Sequence, residues 1–161
     1  MTLVELNQMI DNNKIDFELV NKEANESNDD ELLVNIGIYY RLGAKGFPKN
    51  FEKSFKYLLK SANLGNSRAM YYVGWLYKTG YGCEKNLELS TKWYQKGAEL
   101  NDINCIQAIA EAYLSGDGIE ANRNKAFEWY QKGAELGNGS CIRALMKYFK
   151  IDYFNDGNIW F

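Results

Sequence analysis

A carboxylate pair for general acid–base work could form in this chain, for example Glu111 with Asp117, but nothing in their spacing demands it. The sequence has no histidine. That removes the commonest general base, the serine–histidine and cysteine–histidine nucleophile pairs, and histidine-ligated metal sites. No Cys-x-x-Cys occurs either. The glycine pairs Gly80-Tyr81-Gly82 and Gly116-Asp117-Gly118 would need a preceding strand to act as phosphate loops, and both fall between helical stretches. The sequence therefore predicts no enzyme, no cofactor and no metal. What remains is the chemistry of recognition, carried by 12 Tyr, 8 Phe and 4 Trp, or 15% of the chain. Rings bury much area for few rotatable bonds, so they fill space between helices and also anchor interfaces.

The 161 residues carry a formal charge of −2. This gives no electrostatic footprint for a nucleic acid and little attraction to an anionic membrane. No apolar run approaches the length of a membrane span. The start, Met1-Thr2-Leu3-Val4-Glu5-Leu6, lacks the basic region of a secretory signal, although a mature chain trimmed of its signal would look similar. The three cysteines, Cys83, Cys105 and Cys141, form no framework, and Cys105 and Cys141 hold equivalent positions one period of the sequence apart. Equivalent helices stack about 9–10 Å apart, beyond the ~7 Å a disulfide spans between alpha carbons. Reduced, buried thiols and a cytoplasmic location are expected.

The elements that position the rings recur with a fixed period. Tyr94-Gln95-Lys96-Gly97-Ala98-Glu99-Leu100 returns letter for letter as Tyr130 to Leu136, with Trp93 matching Trp129. A period in this range marks a solenoid. Aligned on the glycines, the units are 32–68, 69–104 and 105–140, and a partial unit opens at Cys141 and stops near Phe149 or Lys150. Each reads as helix, glycine turn, helix. The first helices bury one face: Leu32, Ile36, Gly37 and Tyr40; Ala69, Val73, Gly74 and Tyr77; Cys105, Ile109, Ala110 and Tyr113; then Cys141, Leu145, Met146 and Phe149. The second helices start at Asn50, Asn86 and Asn122 as N-caps and end at Gly65, Asn101 and Gly137. Their core is assigned to Tyr57 and Ala62, Trp93 and Ala98, and Trp129 and Ala134.

Residues 1–31 depart from the repeat and read as a divergent N-terminal cap. Thr2-x-x-Glu5 is a capping box opening a helix to about Ile10, Asp16 to about Asn25 is a second helix, and Asn28-x-x-Glu31 opens the first helix of unit one. Phe17, Val20 and Ala24 fit a degenerate second helix covering one end of the stack, as solenoids require. The span 141–161 reads as a partial repeat and C-terminal cap, with Ile151 to Phe161 expected to fold back on the last helix. The whole of 1–161 is read as a single solenoid domain.

The matching residues Ala69, Val73-Gly74, Tyr77, Gly80-x-Gly82, Asn86, Trp93-Tyr94 and Ala98, with Ala110, Tyr113, Gly116-x-Gly118, Asn122, Ala126, Trp129-Tyr130 and Ala134, resemble the Sel-one-like repeat, a relative of tetratricopeptide repeats. The resemblance covers about residues 32–149. Departures are Gly97 and Gly133, where the family usually has alanine, and Ser90; each glycine is expected to loosen its helix by about 1 kcal/mol. The resemblance implies an all-α, right-handed superhelix of antiparallel helix pairs with a concave binding face. Family members act mostly as adaptors and assembly platforms, and some small bacterial members look like immunity proteins. A secreted branch has cysteine pairs within each unit, which this chain lacks.

Removing core positions from the first helices leaves the concave face: Ile38, Arg41, Met70, Tyr71, Trp75, Lys78, Tyr81, Gln107, Glu111, Leu114, Arg143 and Lys147, with Leu42, Thr79 and Asp117 beside them. Trp75 is the sharpest pointer, as an anchor for a partner's apolar side chain or as a ring packed against the neighbouring unit or the tail. Two functions fit. One is a protein-interaction module holding a partner protein or peptide in its groove. The other is a dedicated inhibitor, such as an immunity protein that blocks a single toxin. Weak end-to-end self-association through the last partial unit is also open.

Overall fold

Short polar side chains set where the helices begin. In the computed structural model, which describes residues 1–151, every regular element is helical. The elements are α1 (Leu3–Asp11), α2 (Phe17–Glu26), α3 (Asp30–Leu42), α4 (Phe51–Asn63), α5 (Ser67–Thr79), α6 (Leu87–Glu99), α7 (Ile103–Ser115), α8 (Arg123–Glu135), α9 (Gly139–Ala144) and a π-helical turn, Leu145–Phe149. The Thr2–Glu5 capping box forms as read from the sequence. Asn50 and Asn122 accept from the amides of Lys53 and Lys125 at 2.8 and 3.0 Å. The expected cap at Asn28 falls one residue later. Asp29 accepts from the Leu32 amide at 3.0 Å, while Ser27 Oγ accepts from the Asp29 amide and holds the entering turn. The partial fourth unit ends as expected near Lys150, which takes the left-handed conformation, but its last turn is π-helical rather than α.

Packing divides the chain into two compact units, residues 1–86 and 87–161. In the first, α2 and α4 pack on α3, and α5 packs on α4. The core joins Leu6 of α1 and Val20 and Ala24 of α2 to Leu32, Leu33, Ile36 and Tyr40 of α3, with Phe47 and Tyr57 closing it. Phe47 sits edge-on to Phe17 and Tyr40, with ring centroids 5.3 and 5.0 Å away. Asn21 ties this end together, its Oδ1 accepting from the hydroxyls of Tyr40 and Tyr57, each at 2.9 Å. Burial pushes the Tyr57 phenol up to about 12.

In the second unit α7 packs between α6 and α8, and α9 packs on α8. Cys105, Ile106, Ile109, Ala110 and Tyr113 of α7 meet a core completed by Ala126, Tyr130, Ala134, Cys141 and Leu145. Three expectations need correction here. Met146, assigned to the buried face of the last helix, is 36% exposed. Trp93 and Trp129 are only half-buried, and the tyrosines that follow them, Tyr94 and Tyr130, fill the core instead. Gly133 is not a loosened alanine position. A Cβ there would overlap Cys141 Sγ and stand 3.0 Å from its Cβ, so the glycine sets how closely α9 approaches α8. The fold-back expected of the tail 151–161 lies outside the described residues, apart from Ile151.

Candidate functional site

The second glycine of the turn after α5 positions the centre of the candidate site. Gly82 has φ +72°, and a Cβ on it would overlap the carbonyl of Phe51 and lie 2.9 Å from the Glu52 nitrogen. The turn therefore rests directly on the backbone that starts α4. Tyr81, held between Gly80 and Gly82, is laid flat on the Phe51 ring, with centroids 4.7 Å apart and planes 21° from parallel. The second unit repeats the device, with Gly118 against the carbonyl of Leu87.

From Tyr81 a run of contacts crosses the first unit. Tyr81 meets Trp75 of α5 at 5.6 Å. The Arg41 guanidinium, on α3, lies 5.4 Å from the Trp75 ring and 4.8 Å from the Tyr72 ring. Tyr72 meets Tyr71 at 5.4 Å. At the other end Lys49 Nζ stands 5.1 Å over Phe51. Arg41, Tyr71, Tyr72 and Trp75 are half-buried, and Tyr81 is 48% exposed. Rings held against one another and against cations lose little freedom when a partner arrives.

Of the residues predicted from sequence, Arg41, Tyr71, Trp75 and Tyr81 belong to this run, and Lys78 lies one helical turn beyond Trp75, partly exposed. Ile38 and Met70 do not qualify as contact residues, each being only 6% exposed. Met70 shares the buried stripe of α5 with Ala69 and Val73, and α3 is covered nearly all round, burying Val34 and Ile38 besides its expected face. In the second unit the candidates are engaged locally. Gln107 donates to Glu111 at 2.8 Å, Arg143 donates to Ser140 Oγ at 3.0 Å, and Lys147 Nζ lies 4.7 Å from the Tyr148 ring; Leu114 is partly exposed.

Sequence reasoning missed Tyr72 and Phe51. A trace was present: Tyr72 stands where the other units have Asn35, Ala108 and Ala144, and Phe51 where they have Leu87 and Arg123. It also missed the surface of the second helices. Lys96 Nζ lies 4.5 Å from the Trp93 ring beside an open pocket of about 390 Å³ lined by α6, and Lys132 Nζ lies 5.1 Å from Trp129 beside one of about 310 Å³.

No group of three or more Asp, Glu or Cys side chains among the described residues is arranged to hold a metal. None of the three cysteines is in a disulfide. Burial raises all of them, Cys141 to about 11 and Cys83 and Cys105 in the same direction, so none is held as a reactive thiolate. No helix among the described residues is long and apolar enough to cross a membrane.

Comparison with known proteins agrees with the helix pairs. The Sel1 repeat model matches residues 31–66, 67–102 and 106–138. A Sel1 repeat protein from Oxalobacter formigenes superposes with a TM-score of 0.70 at 27% identity, covering 80% of this chain and 96% of that one. A protective antigen of uropathogenic Escherichia coli with an SLR fold gives 0.76 at 26% identity, covering 83% of this chain and 28% of that one. The cysteine-rich protein B of Helicobacter pylori gives 0.61 at 22% identity, covering 74% and 98%, a likeness of fold alone. These are all-helical proteins of sequential antiparallel pairs, the architecture seen here. No curated protein matches the sequence.

Proposed function

The chain belongs to the Sel1 repeat family, and from that premise we propose that it binds a segment of one partner protein on the face carrying Arg41, Trp75 and Tyr81. The family is generally a non-catalytic protein-interaction scaffold. The observation that carries the reading is the unbroken run from Lys49 through Phe51, Tyr81, Trp75 and Arg41 to Tyr72, partly exposed and already assembled. Tryptophan, tyrosine and arginine are the residues on which binding energy concentrates. The thiols suit a reducing compartment, and a cytoplasmic site of action belongs to the same proposal.

The test is affinity capture from the source organism with the wild-type protein, Trp75→Ala, Tyr71→Ala and, as a control on the other surface, Trp93→Ala. Helicity is checked by far-ultraviolet circular dichroism. Trp75→Ala and Tyr71→Ala should weaken binding of a captured partner by about tenfold or more with helicity intact. Loss in Trp93→Ala alone would move the surface to the second helices. One folded partner held at nanomolar affinity over a standard-sized interface would favour a dedicated inhibitor, whereas several extended peptides at micromolar affinity would favour an adaptor.

A further inference from the structure

We propose that Arg41 receives a carboxylate, so that the bound segment carries an aspartate or glutamate next to a bulky apolar residue; this rests on the binding surface proposed above. Attraction to the faces of Tyr72 and Trp75 uses the charge of the guanidinium but none of its five N–H donors. No acceptor among the described residues takes any of them. Nε is closed off from solvent and still has no partner. A buried donor without an acceptor is costly and uncommon in a folded protein.

Several acids of this unit are engaged elsewhere. Asp30 and Glu31 accept from the Asn66 amide at 2.8 and 3.0 Å, Asp16 and Asp29 cap helices, and Glu23 pairs with the Met1 amine at 2.6 Å. The cations at this face are held by rings instead, Arg41 by Tyr72 and Trp75 and Lys49 by Phe51. The run is thus a row of apolar surfaces with a cation between Trp75 and Tyr72, another at the opposite end, and no carboxylate within it. Arginine in such low-dielectric surroundings favours a planar, two-oxygen acceptor, and Trp75 and Tyr81 beside it offer ring surface to a neighbouring apolar side chain. The same alternation of ring and cation would stack bases against a phosphate chain. A formal charge of −2 with two cations here disfavours that occupant, since nucleic-acid binding draws on many neutralised phosphates.

The experiment selects a random displayed peptide library on the immobilised full-length protein. Enriched peptides are then made in three forms: as selected, with Asp or Glu changed to Asn or Gln, and with the C-terminus amidated. Each is titrated by fluorescence polarisation against the wild type, Arg41→Gln, Arg41→Lys and Trp75→Ala, and a labelled single-stranded oligonucleotide is titrated alongside. Enriched peptides should share an acidic residue beside an apolar one. Arg41→Gln and the Gln or Asn peptide should each weaken binding about tenfold, and together no more than either alone. Arg41→Lys should lie between, which separates lost recognition from a damaged fold. Weakening only on amidation assigns the carboxylate to a chain terminus, and weakening only on side-chain neutralisation assigns it to Asp or Glu. Peptides that need Trp75 but bind Arg41→Gln unchanged would overturn the carboxylate and leave the binding surface standing. A library with no Trp75-dependent peptide counts against both, and oligonucleotide binding that depends on Arg41 replaces this occupant with a nucleic acid.

Discussion

Gly82→Ala should cost far more than an ordinary glycine substitution, and the structure supplies its own standard. Gly65, Gly80 and Gly82 all have positive φ, at +102°, +78° and +72°. A Cβ on Gly65 would meet nothing within 4 Å, so Gly65→Ala isolates the backbone cost, about 1 kcal/mol. A Cβ on Gly80 would lie 3.1 Å from Lys85 Cβ, a side chain on an exposed loop. A Cβ on Gly82 overlaps the carbonyl of Phe51, which cannot turn away because it begins α4, so the loop must lift. Adding roughly 2 kcal/mol for that displacement gives about 3 kcal/mol in all. For a chain of this length the melting temperature should fall by about 6–12 °C, against about 2–4 °C for Gly65→Ala. Gly118→Ala, facing the Leu87 carbonyl in the same way, should reproduce the larger loss. Thermal and urea unfolding followed by circular dichroism read the difference. Because the same turn carries Tyr81, Gly82→Ala should also weaken partner binding. If Gly82→Ala and Gly118→Ala melt with Gly65→Ala, the turn-on-helix contact does not organise this fold.

Gly133→Ala restores a residue with better helix propensity, yet should destabilise by about 1–3 kcal/mol because its methyl collides with Cys141; a urea midpoint at or above that of the wild type would show that α9 yields. The thiols should react in order of access, with half-buried Cys83 modified by an aromatic disulfide reagent well before Cys105 and Cys141, which wait for opening. Cys141 rises from 9.0 to about 11 on folding, so its contribution is intact below about 9 and is lost as pH climbs toward 11; the urea midpoint should fall between pH 8 and pH 10.5, less so in Cys141→Ala.

The repeat helices were legible from a recurring apolar face, and several helices also from a side-chain cap. Asn50, Asn122 and the Thr2–Glu5 box needed no tertiary information. Met70 was misassigned although the sequence held the answer: Leu33, Met70, Ile106 and Ile142 are apolar in every unit, and the first three are buried beside the expected face. Ile38 was less readable, since its equivalents are Trp75, Glu111 and Lys147, and only the covering of α3 on several sides buries it. Gly133 could not be read at all, because the nearness of Cys141 is a distance between helices. The same holds for the partnerless Nε of Arg41, which is defined by what surrounds it.

The candidate site stands where the chain departs from its own repeat. Tyr72, Trp75 and Tyr81 replace Ala108, Glu111 and Asp117 of the next unit, and Phe51 replaces Leu87. Those replacements carry the same pair of helices in the same pattern of caps and buried faces, so helix formation does not require the four rings. Three of them nevertheless touch in sequence, and Arg41 bridges the fourth to the third. Rings that a repeat can dispense with, gathered from two helices and a turn and left partly in water, add apolar exposure that a purely structural role would have buried. A surface for a partner explains both the gathering and the exposure, and it explains why the Arg41 cation has ring faces around it but no acid.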